Sequence, residues 1–470
     1  MAESQIETKA GEGNTLPSWR FHVENLGCIK SGDFEVKPLT LLCGPNNTGK
    51  TWAMYALYGF LGEVFGAPPV LPEIDHVIEE VVEKGIYSWD FGTWLEAHAD
   101  EVLALINQGM KQRLPDIFNA PEPLFANSQF DWIISREAFV QSVINRDFNL
   151  QMTLGSKNYY TFHLLKPTGE SKLQITILKI PLHIETTASI NRYLSFLLSY
   201  LLYEVNDLRV FLMPAERNGL HLFYKELAYK RTALLHPSTR ADFSLENISH
   251  YARPIADYID WLNKVPELLK WKSGQCQDLA RQVEVIAGGN YAVDSDGNVS
   301  FTPEKNDGEK LDLHLSSSTV KSLFGLWFYL EHEAKPGDTL MIDEPELNLH
   351  PANQRAVARL LARLVNAGLR VVVSTHSDYI VREINSLIML NQPHPKRAEL
   401  MRRFGYSQKE VLNPEKVACH LFDQSTIKAM DITLDEGILA STFDETIHDL
   451  NDTSDGIYYT YRDKSEEDAG

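Results

Sequence analysis

Positive charge is scarce in this 470-residue chain: 44 lysines and arginines stand against 64 aspartates and glutamates, a net charge of −20. A surface of that sign repels a polyanion at long range, which weighs against DNA as the main ligand while leaving room for a local basic groove. Two small clusters, Lys225 with Lys230 and Arg231, and Lys264 with Lys270 and Lys272, read as solvated helix faces. Cysteine is scarcer still. Cys28, Cys43, Cys276 and Cys419 lie far apart without a CxxC pair, which argues against a disulfide framework or a structural zinc site and fits a reducing, cytoplasmic setting. Long apolar runs are also missing. The most lipid-like stretch, Tyr193 to Tyr203, is about half the roughly 20 residues a spanning helix needs and reads as a buried helix, so no membrane association is expected. Residues 1–17 are polar and read as a flexible tail, neither signal peptide nor anchor. No heptad pattern persists, which excludes a long coiled coil, and there is no internal repeat.

What is present is a chain with 44% hydrophobic residues, enough to bury a large core and long enough for several domain-sized units. Residues 18–65 read as short strands, FHVENL and FEVKPLTLLC, that enter a glycine-rich loop followed by helical spacing from Thr51 to Val64. From 66 to 310 the character changes to an inserted mixed α/β lobe. Its helices are expected at Ile74 to Lys84, Trp94 to Arg113, Ser189 to Asn206 and over Ile255 to Val285. Strands YTFHLL and KLQITILKI are separated by Pro167, Thr168 and Gly169, and a hairpin turns at Asp294 to Gly297. Residues 311–390 return to alternating helix and buried strand, with TLMID and RVVVST as continuous apolar runs. Residues 391–470 read as a mixed segment packing on the same head, ending in the acidic stretch Ser465 to Asp468.

The chemistry sits at the two ends. Residues 44–51, GPNNTGKT, match the phosphate-loop pattern GxxxxGK[ST] after a strand and before a helix. In that pattern the backbone N–H groups of Asn46, Asn47, Thr48 and Gly49 face phosphate oxygens, Lys50 neutralises the β and γ phosphates of ATP, and the Thr51 hydroxyl ligands Mg²⁺. LMIDE at 340–344 is an apolar strand ending in two acids. Beside a full phosphate loop, Asp343 is expected to complete the Mg²⁺ shell and Glu344 to polarise the attacking water. Alone, the pair would fit an ordinary acidic turn equally well. A second strand ends at Thr375-His376-Ser377, which places His376 at the same sheet edge, within reach of a γ phosphate.

GPNNTGKT, MIDEPELNLHP and STHS together resemble the ABC-type ATPases of the RecF, SMC and OLD branch. The resemblance implies an α/β fold: a P-loop ABC-type ATPase head interrupted by the compact lobe. It also implies a head-to-head dimer, or a higher even-numbered oligomer, with ATP between a phosphate loop of one subunit and a serine-rich signature of the other. That signature falls on Leu315-Ser316-Ser317-Ser318-Thr319, where the family often has glycine at the position of Ser318 or Thr319. A plain helix cap would use the same residues.

Leu114 to Asn119 (LPDIFN) and Met213 to Leu220 (MPAERNGL) resemble a narrower group, the ATPases of bacterial anti-phage and overcoming-lysogenisation-type systems. No chemical role attaches to Glu216 or Arg217 beyond a place near the nucleotide, a lobe contact or a structural ion pair. OLD-type nucleases carry a TOPRIM domain with a glutamate and a paired DxD. The stretch after His376 is too short for one and its acids, such as Asp435, Glu436 and Asp444, are scattered, so any nuclease effector is expected on a separate chain. The resulting expectation is an ATP-driven switch in anti-phage defence. A RecF-like DNA-binding clamp in repair is the alternative, and the motor subunit of a transporter a weaker third.

Overall fold

LTLLC, TLMID and RVVVST are buried at every position in the computed structural model. Strands of this kind need cover on both faces, and they receive it. Side chains of Leu39, Leu41, Leu340, Ile342, Val371 and Val373 face one apolar cluster, while Leu42, Met341 and Val372 face another. The structure describes residues 19–62, 71–154, 160–178, 187–202, 209–235, 250–270, 274–304, 309–439 and 452–459. The expected tail at 1–17 and the acidic stretch 465–468 lie outside them.

The strands, in chain order, are β1 (Trp19–Leu26), β2 (Ile29–Val36), β3 (Leu39–Cys43), β4 (Ile86–Asp90), β5 (Gln129–Ile133), β6 (Phe148–Leu154), β7 (Tyr160–Lys166), β8 (Lys172–Leu178), β9 (Val210–Met213), β10 (Gly289–Val293), β11 (Val299–Pro303), β12 (Leu311–Asp312), β13 (Thr339–Asp343), β14 (Arg370–Thr375), β15 (Val417–Asp423) and β16 (Thr426–Ala429). Nine of them form one sheet in the order β5-β1-β2-β16-β15-β3-β14-β13-β9. Its β15-β3-β14-β13-β9 half is parallel throughout, and β1 pairs antiparallel with β2 and with β5. β4, β8, β7 and β6 make a separate antiparallel sheet. β10 and β11 form the hairpin expected at Asp294 to Gly297, with the Asp294 carboxylate accepting from the backbone of Asp296 and Asn298.

Helices α1 (Lys50–Gly62), α2 (Asp75–Lys84), α3 (Phe91–Phe118), α4 (Arg136–Ile144) and α5 (Thr187–Leu202) lie toward the first apolar cluster; α6 (Arg217–Leu235), α7 (Arg253–Leu268), α8 (Gln277–Ala287), α9 (Ser318–His332), α10 (Pro351–Asn366) and α11 (Asp378–Met389) lie toward the second. α12 (Arg397–Phe404) buries none of its residues. α3 runs beyond the expected Trp94 to Arg113, taking LPDIF as its last turn and ending where Asn119 turns left-handed at φ 49°. Helical character over Ile255 to Val285 resolves into α7 and α8. The break falls before Gln275, whose N–H bonds the Ala334 carbonyl rather than a preceding turn.

The stretch from 66 to 310 contributes to the nine-stranded sheet, supplies the four-stranded one, and gives β10 and β11 to a third of three strands with β12. β5 and β9 belong to the nine-stranded sheet, one on β1 and the other on β13. The apolar faces of β4, β6, β7 and β8, with Trp89, Phe148, Phe162 and Ile175, join the same cluster as Phe21, Phe34 and Met341. No described helix is long and apolar enough to cross a membrane.

One buried histidine joins three helices of the second face. His221 of α6 lies 2.7 Å from the Lys321 carbonyl through Nδ1 and 2.8 Å from the Tyr258 hydroxyl through Nε2. The carbonyl requires a proton on Nδ1, so Nε2 accepts from the tyrosine and the ring is neutral. Burial pushes the His221 pKa down to about 3, outweighing the help of the Lys321 carbonyl. A depressed histidine favours the fold fully above its unfolded pKa of 6.5, and the contribution is lost as pH falls toward 3. Thermal melts of the wild type should therefore lose stability from pH 6.5 downward by up to about 1.4 kcal/mol per pH unit from this group. His221→Gln should flatten that slope while lowering stability at neutral pH.

Candidate functional site

Register brings the sequence motifs to one edge of the sheet. Thr375 stands opposite Cys43, Asp343 opposite Ser374, and Ile342 opposite Met213. The phosphate loop, the acidic pair, His376 and the segment Pro214 to Arg217 all leave the carboxyl ends of neighbouring parallel strands, where open α/β sheets bind their ligands.

The loop between β3 and α1 runs close to its neighbours. A Cβ on Gly44, at φ 139°, would meet the Phe422 carbonyl oxygen at 2.2 Å, and one on Gly49, at φ 103°, would meet Ile29 Cγ1 at 2.5 Å. Asn47 is left-handed at φ 63°, and Thr48 closes the turn by donating to the Pro45 carbonyl at 2.9 Å. Asn46 and Asn47 are exposed, Thr48 is half-buried and Gly49 is buried. Lys50 is buried, and its ammonium donates to the carbonyls of Gly44 at 2.9 Å and Pro45 at 2.6 Å. Burial lowers its pKa, and the charges of Glu344, Asp343 and Glu346 oppose that.

Asp343 is 1% exposed. One carboxylate oxygen accepts from the Ser374 hydroxyl, and the other accepts from the Thr51 hydroxyl at 3.1 Å. Burial raises its pKa to about 6, ahead of the hydrogen bond from Ser374, which lowers it, and the repulsion of Glu344. Such a carboxylate is short of a cation. Hydroxyl and carboxylate oxygens side by side are the donor set a hard divalent ion takes, so Thr51 and Asp343 fit Mg²⁺ and a buried lysine beside close backbone fits phosphate.

Glu344 follows at φ 50°, left-handed for a residue with a side chain. Its N–H donates to the Ser374 hydroxyl and carbonyl at 3.1 and 3.2 Å, and its carbonyl accepts from Arg217 Nη2 at 2.8 Å. His376 Nδ1 stands 3.8 Å from a Glu344 carboxylate oxygen and 3.3 Å from Glu346 Oε1. That same oxygen of buried Glu346 accepts from the Thr375 hydroxyl and the His376 N–H, both at 2.8 Å. Glu346 thus fixes the backbone from which the histidine extends.

Ser317 caps α9 by accepting from the Val320 N–H at 3.3 Å, Ser316 donates to the Asp312 carbonyl, and Ser318 is exposed at the first turn. Among the described residues no hydrogen bond joins these serines to the phosphate loop of the same chain. The structure therefore assembles Lys50, Thr51, Asp343, Glu344 and His376, and leaves Ser316, Ser317 and Ser318 at the separate helix start.

Three supporting residues carried no expected role: Ser374, Glu346 and Arg217. Glu346 lies inside MIDEPELNLHP and Arg217 inside MPAERNGL, so motif membership was the signal available for both. Ser374, one residue before the strand end, lies inside STHS and carried the same signal.

A family model described as AAA ATPase domain matches residues 20–381, more than half of the chain. No curated protein matches. Among solved structures, an SMC head bound to the C-winged helix domain of ScpA is 10% identical, with a TM-score of 0.37 over 89% of this chain and 98% of that one. The SMC head domain from Thermotoga maritima is 11% identical at a TM-score of 0.30, covering 88% and 99%. The Smc head domain with an extended coiled coil bound to the C-terminal domain of ScpA, from Pyrococcus furiosus, is 11% identical at 0.35, covering 93% and 100%.

Lys50→Ala removes the buried charge beside the loop and should abolish ATP binding measured by calorimetry. The Asp343 carboxyl, raised to about 6 from 3.8, holds a proton in the fold that the unfolded chain releases between those values. Without metal this group's contribution to stability therefore falls as pH rises through that window, and a divalent ion must displace the proton below it. The extra thermal stabilisation that Mg²⁺ adds to ATP should weaken by up to about tenfold in affinity per unit below pH 6.

Proposed function

The chain belongs to the AAA ATPase domain family, and we propose that it is an ABC-type ATPase whose site is completed by a second copy and which works as a dimerising switch. The observation that carries this reading is the shared edge on which Lys50, Thr51, Asp343, Glu344 and His376 meet, with Ser317 and Ser318 exposed at the start of α9 and, among the described residues, bonded to no part of that edge. Leu315, immediately before those serines, is 66% exposed, an apolar side chain placed where a second copy would cover it.

In this proposal Lys50 and the loop amides hold the β and γ phosphates. Mg²⁺, held by Thr51 and Asp343, would neutralise charge on those phosphates when bound. Glu344 accepts a proton from water as its oxygen bonds to the γ phosphorus and the bond to the β-bridging oxygen breaks, leaving ADP and phosphate. His376, aligned by Glu346, donates toward the departing γ-phosphate oxygens. Ser316, Ser317 and Ser318 of the second copy supply hydroxyls and helix-start amides to the same nucleotide, forming a head-to-head dimer or a larger even-numbered oligomer.

The switch is proposed to act in the cytoplasm, in bacterial anti-phage defence, on a separately encoded effector, a nuclease. The resemblance of LPDIFN and MPAERNGL to such systems supports it. The division of the chain into head segments at 18–65 and 311–390, an intervening lobe at 66–310 and a packing segment at 391–470 is part of the same proposal. A second reading, a RecF-like DNA-binding ATPase, is favoured by one observation: α12 carries Arg402 and Arg403 exposed beside Lys396 and Arg397, in a chain of net charge −20.

Glu344→Gln should bind ATP, slow its turnover by on the order of 100-fold or more, and accumulate an even-numbered oligomer by light scattering with Mg-ATP. Turnover at the wild-type rate would remove Glu344 from the role of base. His376→Ala should also lose on the order of 100-fold in turnover. Salt-sensitive capture of duplex DNA by the closed Glu344→Gln form, reduced by Arg402→Glu, would favour the second reading.

A further inference from the structure

Arg217 is the first residue of α6, and its guanidinium is buried without a carboxylate hydrogen-bond partner. Its donors reach backbone and one hydroxyl. Nη1 donates to the carbonyls of Asp343 at 2.8 Å and Pro214 at 3.1 Å, Nη2 to the carbonyl of Glu344 at 2.8 Å, and Nε to Ser322 Oγ at 3.1 Å and Ser322 O at 3.3 Å. A buried arginine spent on neutral acceptors is costly unless it fixes a geometry that nothing else fixes.

The acceptors define that geometry. Asp343 and Glu344 are the two acids at the end of β13, and Glu344 is left-handed there, a conformation its side chain disfavours. Ser322 lies one turn into α9, the helix that begins at the serine-rich signature. The same turn is tied to the acidic loop twice more: the Thr319 hydroxyl donates to the Asn348 carbonyl at 3.0 Å and the Ser322 hydroxyl to the Leu347 carbonyl at 3.3 Å. Arg217 thus stands between the helix that would meet the partner's nucleotide and the backbone that aims the chain's own base.

We infer that Arg217 is a positioning residue for ATP hydrolysis: it holds the Glu344 backbone in its left-handed turn and couples that turn to the start of α9. Its five hydrogen bonds are all to protein atoms, and it acts through Glu344. This rests on the reading of Glu344 as the base. Movement of α9 when a second copy engages the signature is passed through Ser322 and Arg217 to the carbonyl of Glu344, so that the base is aimed when the site is complete.

Arg217→Lys keeps a positive charge but cannot bridge four carbonyls and a hydroxyl from one ammonium. It should leave Mg-ATP affinity within about threefold of wild type by calorimetry and lower kcat by on the order of 100-fold. Because Arg217 acts through Glu344, single-turnover assays with labelled ATP should find the double variant Arg217→Lys with Glu344→Gln no slower than Glu344→Gln alone. A residue that only supports the fold would slow the double variant further, and that result, or an unchanged kcat in Arg217→Lys, overturns the proposal. Should Arg217→Lys fail to fold, Ser322→Ala decides: kcat lowered about threefold to tenfold, with no added loss on Glu344→Gln, supports the coupling, and a wild-type rate overturns it. Absence of ATP turnover in the wild type, or a wild-type rate in Glu344→Gln alone, would instead fault the assignment of the base.

Discussion

Everything at the candidate site depends on the parallel register of β3, β14 and β13. Pairing Thr375 with Cys43 and Ser374 with Asp343 brings three strand ends to one level, so that a lysine, a hydroxyl, two carboxylates and an imidazole meet although the sequence separates them by hundreds of residues. A one-residue slip would turn each strand over, sending Leu41, Val373 and Ile342 to the opposite apolar cluster and carrying the acids out of line with the loop. Cover on both faces prevents it, because both sets of side chains are needed in both cores.

The ends of the chain were legible because their signals are local. A strand, a glycine-rich loop and a helix follow one another within 39–62, and apolar runs ending in acids or a histidine announce buried parallel strands. The fold class could therefore be read in advance, and so could the strand ends that bring these residues to one edge. Ser317 was open to two readings, signature or cap, and its cap bond is compatible with both. Less could be read where the information is non-local. Nothing in QFDWI or VFLM says that one will extend the large sheet beside β1 and the other beside β13, since pairing partners are set by packing. The middle of the chain therefore looks separate in composition and yet supplies both outer strands of the nine.

The same limit governs the supporting polar groups. Glu346, Ser374 and Arg217 differ in no local respect from acids, serines and arginines elsewhere; their meaning comes from the carbonyls and hydroxyls that the fold delivers to them. Buried polar groups of this kind, bonded to backbone and to neighbouring side chains, give a site rigidity that apolar packing does not specify. The proposed site also separates tasks: oxygens of Thr51 and Asp343 would hold the metal and Glu344 would take the proton of water, while Ser374, Glu346 and Arg217 bond the residues that carry those groups.

The strand that delivers the phosphate loop has late neighbours. β3 ends at Cys43, yet its two partners are β14 at Arg370–Thr375 and β15 at Val417–Asp423, whose Phe422 carbonyl lies against Gly44. During synthesis the loop sequence emerges early, and its strand lacks its first partner until residue 375, and its second until residue 423, has left the ribosome. Contacts of that separation form slowly and expose an apolar edge meanwhile. The sheet edge that carries the phosphate loop can therefore be completed only after most of the chain has emerged.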